Sequence, residues 1–174
     1  DGSSLILEKG EVFTNRDLLK AAIISSNNQA MYAFQDAYRT VLKANSYISA
    51  LGLENTKISN PAGFDDNGQN YSTAKDMVTI AKVFFENQLL KDYASMEKAE
   101  ILDMSQNKMI RITNTNDLLR LKYAPVIAGK TGTTLGAGQN LCLLVEKNNK
   151  RYIIVILGST DRYTDAIKII ERIS

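Results

Sequence analysis

Apolar and polar positions change rhythm once along this chain. Through the first two thirds, apolar residues recur every three or four positions, the period of an amphipathic helix. In the last third they run together in short blocks punctuated by glycine and asparagine, as in buried strands. A helix is predicted over 14–24, where Thr14-Asn15-Arg16-Asp17 forms a capping-box pattern and Leu18, Leu19, Ala22 and Ile23 follow at helical spacing. Ser25-Ser26-Asn27-Asn28 interrupts it with residues that favour caps and turns. A second helical stretch carries Met31, Phe34, Ala37 and Tyr38 on one face, and a third runs from Val41 to Leu51 and stops at Gly52. Residues 55–71 hold Pro61, Gly63 and Gly68 among several Asn and Asp, and read as an irregular loop. Thr73-Ala74-Lys75-Asp76 opens a further helix that reaches Asn87, with Ile80, Val83 and Phe84 on its apolar face.

Beyond it, residues 99–113 read as a small hairpin around Ser105-Gln106-Asn107, and 117–121 as a short helix. Pro125–Lys130 resembles a strand, followed by a loop marked by Gly132, Gly136 and Gly138. Gln139–Glu146 and Arg151–Leu157 are apolar strands joined across Lys147-Asn148-Asn149-Lys150, and Asp161–Arg172 closes the chain as a helix. Helices first, then an antiparallel meander with a helix packed on it, indicate an α+β fold.

Composition removes whole classes of function. The 174 residues suit one domain; 44% are hydrophobic, 23% are charged, and there is no low-complexity tract. Twenty-one basic and 19 acidic residues are dispersed, giving a net charge of +2 and no basic patch for nucleic acid or anionic lipid. The chain has one cysteine, Cys142, and no histidine. An internal disulfide, Ser-His-Asp and Cys-His catalysis and nearly all zinc chemistry are thereby excluded; no metal or cofactor is expected. Cys142 sits in the apolar run Leu141–Val145 and reads as a buried inert thiol. Any enzyme here must use lysine or carboxylate as its base.

Two short segments carry candidate chemistry. Ser25-Ser26-Asn27 is an S-x-N at the junction of two predicted helices, and Lys130-Thr131-Gly132-Thr133 is a K-T-G-T at the end of a predicted strand. Alone, the first is ordinarily a helix cap, and the second a strand running into a glycine turn.

Their order and surroundings add weight. "VFTNRDLLKAAIISSNNQA", "LGLENTKISNPAGFD", "YSTAKDM", "NTNDLL", "VIAGKTGTTLGAGQNL" and "VILGSTDRYTDA" follow one another along the chain. In that order they resemble successive segments of the serine-type D-alanyl-D-alanine carboxypeptidases, the low-molecular-mass penicillin-binding proteins. The resemblance implies a β-lactamase/transpeptidase-like α+β domain of helices packed on an antiparallel sheet. Residues 1–174 would be one partial domain, with 1–121 mainly helical and 122–174 supplying strands and the last helix. It further implies that the terminal D-alanine of peptidoglycan stem peptides is removed through an acyl-enzyme, which β-lactams inhibit. In that scheme Ser25 relays a proton, Asn27 binds the substrate amide, and Lys130 supplies positive charge beside Ser25. The hydroxyls of Thr131 and Thr133 bind the terminal carboxylate, Gly132 permits close approach, and the Thr133 N–H is half of the oxyanion hole.

The nucleophile of such an enzyme lies in an S-x-x-K that precedes S-x-N, and no S-x-x-K lies upstream of Ser25, at Ser3, Ser4 or elsewhere. Three later matches begin at Ser72, Ser95 and Ser105, where the family has no nucleophile. The expectation is therefore a domain incomplete at its N-terminus, inactive alone, and completed by a segment or complementary chain carrying S-x-x-K against an open sheet edge. The expected setting is bacterial and extracytoplasmic. Two alternatives are a non-catalytic peptidoglycan or β-lactam binding module and a class A β-lactamase. The latter requires a glutamate followed by Leu-Asn, which Glu86–Leu90 imitates poorly.

Overall fold

A computed structural model describes residues 6–174; Ser3 and Ser4 lie outside the described residues. The elements run α1 (Asn15–Ile24), α2 (Asn28–Tyr38), α3 (Thr40–Ala50), α4 (Ala74–Glu86), α5 (Gln88–Ser95), β1 (Lys98–Asp103), β2 (Lys108–Thr113), α6 (Asp117–Arg120), β3 (Val126–Thr134), β4 (Gly138–Lys147), β5 (Lys150–Ser159) and α7 (Arg162–Arg172). The start of α1 follows from its sequence: the Thr14 hydroxyl accepts the Asp17 N–H, and Asp17 adds a negative charge in the first turn. Asn87 ends α4, and its side chain caps α5 by accepting the Leu90 N–H. That cap produces a helix over 88–95 that the periodicity did not predict.

β1 and β2 form the expected hairpin, and β3-β4-β5 form an antiparallel sheet in that order. Asn148 and Asn149 have φ of 54° and 57°, the two left-handed positions of a type I′ hairpin, which twists as the strands do. β3 continues through Gly132 to Thr134, so the loop expected there shrinks to a turn over 135–137.

The pleat of β4 explains why its sequence is continuously apolar. Leu141, Leu143 and Val145 enter one core with α7, while Cys142 and Leu144 enter the other with α1, α4 and α5. A strand covered on both faces has no polar side to show. Each fully buried Leu, Ile or Val of this kind stabilises the fold by about 1.5–3 kcal/mol relative to exposure. Cys142 is half-buried rather than fully buried, and its apolar surroundings raise the thiol pKa to about 12, so it stays protonated at neutral pH.

The same pleat divides the residues of β3. Lys130 pairs with Cys142 and points to the helical side; Thr131 pairs with Leu141 and points to the α7 side. Gly129 lets the strand lie close to its neighbours: a Cβ there would come within 2.6 Å of the Asn116 side chain and 2.9 Å of the Cys142 carbonyl. β3 is an edge strand, with β4 as its partner among the described residues.

Candidate active site

The end of α1, the turn over 113–115, the loop over 62–64 and the rim of β3 enclose a polar cleft of about 490 Å³. Lys130 lies in it. Its ammonium donates to the Ser26 hydroxyl and, at 2.8 Å, to the Thr131 carbonyl. Burial, and secondly the positive charge of Arg162, lower the Lys130 pKa to about 8. At neutral pH it remains a cation, but one close to giving up its proton.

The helix junction contributes different residues from those expected. Ser25 is buried, and its hydroxyl donates 2.9 Å back to the Ala21 carbonyl, one turn earlier in α1. Asn27 is fully buried, and its side-chain oxygen caps α2 by accepting the Ala30 N–H at 2.8 Å. Neither lines the cleft. Ser26 and Asn28 do. The expected meeting of Ser25 with Lys130 is thus shifted by one residue: S-x-N also fits Ser26-Asn27-Asn28, and only that register reaches Lys130. The backbone shows how. Ser26 has φ 56°, the left-handed position that usually follows a helix end, and this turns its side chain out of the core. For a residue other than glycine such a conformation costs about 1–3 kcal/mol, a cost often found where a side chain must be aimed at a site.

Thr131, Gly132 and Thr133 reach the cleft as expected. The Thr131 hydroxyl lies 2.5 Å from that of Thr115, whose backbone N–H donates to the Ile24 carbonyl, so the strand and the helix end are joined through one turn. The sequence reading missed Arg162. Its Nη1 donates to the Gly132 carbonyl (2.9 Å) and the Thr133 hydroxyl (2.7 Å), placing a second cation on the α7 side of the strand. A signal was present: Arg162 opens α7, where the helix dipole disfavours a positive charge.

The serines of the three downstream S-x-x-K matches lie elsewhere. Ser72 bonds Thr56, Ser95 bonds the Asp92 carbonyl, and Ser105 bonds the Asp103 carboxylate. Among the described residues, Ser26 is the serine of the cleft lining, and no carboxylate belongs to that lining. Glu86 is the last residue of α4 and lies outside it, so the β-lactamase alternative lacks its glutamate here. Nor does any group of three or more Asp, Glu or Cys that could hold a metal occur among the described residues.

A histidine-free cleft with a hydroxyl on a lysine ammonium, beside an edge strand carrying two threonines, one of them met by the arginine that opens α7, fits a serine acyltransferase of the penicillin-binding class. The chain belongs to the D-alanyl-D-alanine carboxypeptidase family, peptidase family S11, whose model matches residues 1–161. It is 33% identical over 91% of its length to D-alanyl-D-alanine carboxypeptidase DacF of Bacillus subtilis. With DacC of Escherichia coli the identity is 37% over 92% of the chain. It spans 41% and 40% of the lengths of these two relatives. The crystal structure of the Streptomyces K15 DD-transpeptidase matches with a TM-score of 0.85 at 28% identity, covering 98% of this chain and 71% of that one.

Proposed function

We propose that this chain supplies the substrate-binding half of a serine-type D-alanyl-D-alanine carboxypeptidase, which removes the terminal D-alanine from peptidoglycan stem peptides through an acyl-enzyme. The observation that carries the reading is the Lys130–Ser26 contact, one and three residues along the strand from the hydroxyls of Thr131 and Thr133. In this mechanism the terminal carboxylate of the peptide sits against the Thr131 and Thr133 hydroxyls, held by the charges of Lys130 and Arg162. Asn28 donates to the substrate amide. Gly132 lets the peptide backbone approach the edge of β3, and the Thr133 N–H stabilises the oxyanion as the carbonyl becomes tetrahedral. The nucleophilic serine and its lysine come from an S-x-x-K segment or complementary chain outside these 174 residues. Ser26 passes the nucleophile's proton to the leaving amine, and Lys130 keeps that hydroxyl oriented. β-Lactams acylate the nucleophilic serine of the S-x-x-K segment, not Ser26. The substrate places the reaction in the bacterial cell envelope, outside the cytoplasm. Among the described residues, no helix is long and apolar enough to cross a membrane.

The test is fluorescent penicillin on the full-length protein and on the 174-residue chain. The full-length protein is expected to form a covalent adduct and to release D-alanine from a peptide ending in D-Ala-D-Ala. The chain alone is expected to form no stable adduct. A full-length protein that binds penicillin only reversibly would instead be the non-catalytic binding module. An adduct mapped to Ser26, Ser72, Ser95 or Ser105 of the isolated chain would overturn the assignment of the nucleophile to another segment.

A further inference from the structure

The loop over 55–73 forms one wall of the cleft through Ala62, Gly63 and Phe64, and it is internally tied. Lys57 and Tyr71 exchange backbone hydrogen bonds at its base. Asn60 and Asn70 both donate to the Phe64 carbonyl at 3.0 Å, so the wall is held from inside. Its connection to the opposite wall is narrower. Among the described residues, the two hydrogen bonds from this loop to the sheet region both end on Asp65. The Thr134 hydroxyl donates 2.7 Å to one carboxylate oxygen, and the Gly136 N–H donates 2.8 Å to the other. The Thr134 hydroxyl also accepts the Ala137 N–H at 3.0 Å, which extends the link around the turn after β3. Gly136 lets the carboxylate sit close: a Cβ there would come within 2.9 Å of the Asp65 oxygen, so the carboxylate would have to shift.

We infer that Asp65 is a positioning residue for acylation, clamping the 55–73 loop to the end of β3 and so fixing the Thr133 peptide group and the width of the cleft. The inference rests on the proposed function of that cleft. Asp65 acts only through Thr134 and Gly136, the first of which directly follows the proposed oxyanion donor. Among the described residues the carboxylate has no basic partner, and its two oxygens meet two donors, so Asp65 suits the clamp better than an amide would. Asparagine offers one acceptor and turns an N–H toward a donor. The two hydrogen bonds, first from Thr134 and then from Gly136, hold the Asp65 carboxyl below its ordinary pKa.

The test uses the full-length protein with Asp65→Asn, Thr134→Val and the double variant. Each is assayed for thermal midpoint, reversible penicillin affinity, acylation rate constant and amide hydrogen exchange over 134–138. Both single variants are expected to stay folded and bind with little change in affinity. They should acylate roughly ten-fold or more slowly, since small displacements of an oxyanion donor are costly. The double variant should be no slower than the slower single, because the two side chains make one clamp, and exchange at Gly136 should quicken. Parental acylation in folded Asp65→Asn overturns the inference, as does full additivity of the two rate losses. If penicillin fails to acylate the parent, the proposed function falls and exchange alone decides the clamp: faster exchange in Asp65→Asn supports it, unchanged exchange overturns it.

Discussion

The two walls that meet at Lys130 are built on different periodicities. On β3 the register is enforced by the pleat. Lys130 lies on one face and Thr131 and Thr133 on the other, and a slip of one residue would put a lysine into the α7 core. At the junction of α1 and α2 there is no such alternation. Four small polar residues in a row, Ser25 to Asn28, could each face inward or outward. Burial decides: Ser25 and Asn27 are consumed by helix ends, and Ser26 and Asn28 face the cleft. A site assembled on a strand can thus be read to the residue, whereas one assembled on a helix cap can be read only to the motif.

The strand wall offers the largest expected effect. Lys130→Ala removes the cation bonded to Ser26 and, in the proposed function, the one that meets the substrate carboxylate. Penicillin acylation of the full-length protein should fall by about 100- to 1000-fold, the usual worth of one preorganised electrostatic group. Lys130→Arg should recover little of it, because a planar fork does not replace a compact ammonium in a filled site. The pH profile gives an independent reading. With its pKa lowered to about 8, Lys130 should lose its charge as pH rises through that value, and acylation should decline with it. The stability effect runs the other way. An unfolded lysine stays protonated to about pH 10.4, so between about 8 and 10.4 the unfolded state binds more protons and Lys130's contribution to stability rises with pH. Lys130→Met should lack that slope. A parental acylation rate in folded Lys130→Ala would remove the strand wall from the mechanism.

The helix wall comes next. Ser26→Ala removes the hydroxyl that accepts the Lys130 ammonium and should slow acylation by about 100-fold, the lower range for a positioned proton-transfer group. Its effect on stability should be small, because Ser26 lies outside both cores. Acylation rate beside thermal midpoint separates the two. If Ser26→Ala acylates like the parent, the cleft uses its lysine without a serine relay.

How much of this was legible beforehand differs by element. The strands β4 and β5 are legible because their apolar blocks are bounded by residues with specific turn chemistry, such as Asn148-Asn149. The α1 start was readable from Thr14 and Asp17. The α5 helix was hidden because a single asparagine, Asn87, serves as the end of one helix and the cap of the next. β3 runs past Gly132, which reads in the sequence as a stop, because there the glycine is part of the open edge. Asp65 and Arg162 could not be found by spacing, since their partners are Thr134 and Gly136 and the Gly132–Thr133 stretch, far off in sequence.

The smallest expected effect is the sharpest test of the comparison, because it asks for a null in rate at the residue beside Ser26. Ser25→Ala deletes a buried hydroxyl that, among the described residues, bonds back to the Ala21 carbonyl. That carbonyl keeps other donors, the N–H groups of Ser25 and Asn27 at 3.2 and 3.1 Å, so no acceptor is stranded in the core. The loss should therefore be close to one net hydrogen bond, about 1 kcal/mol. In a domain of this size that lowers the thermal midpoint by about 2–4 °C. Acylation at moderate temperature should stay at the parental rate, since the Ser25 hydroxyl points back along α1 and does not line the cleft. Measured side by side, Ser25→Ala should shift the midpoint and spare the rate, while Ser26→Ala should spare the midpoint and lower the rate. The reverse pattern would return the proton relay to Ser25 and show that the junction repacks when the nucleophile segment is in place.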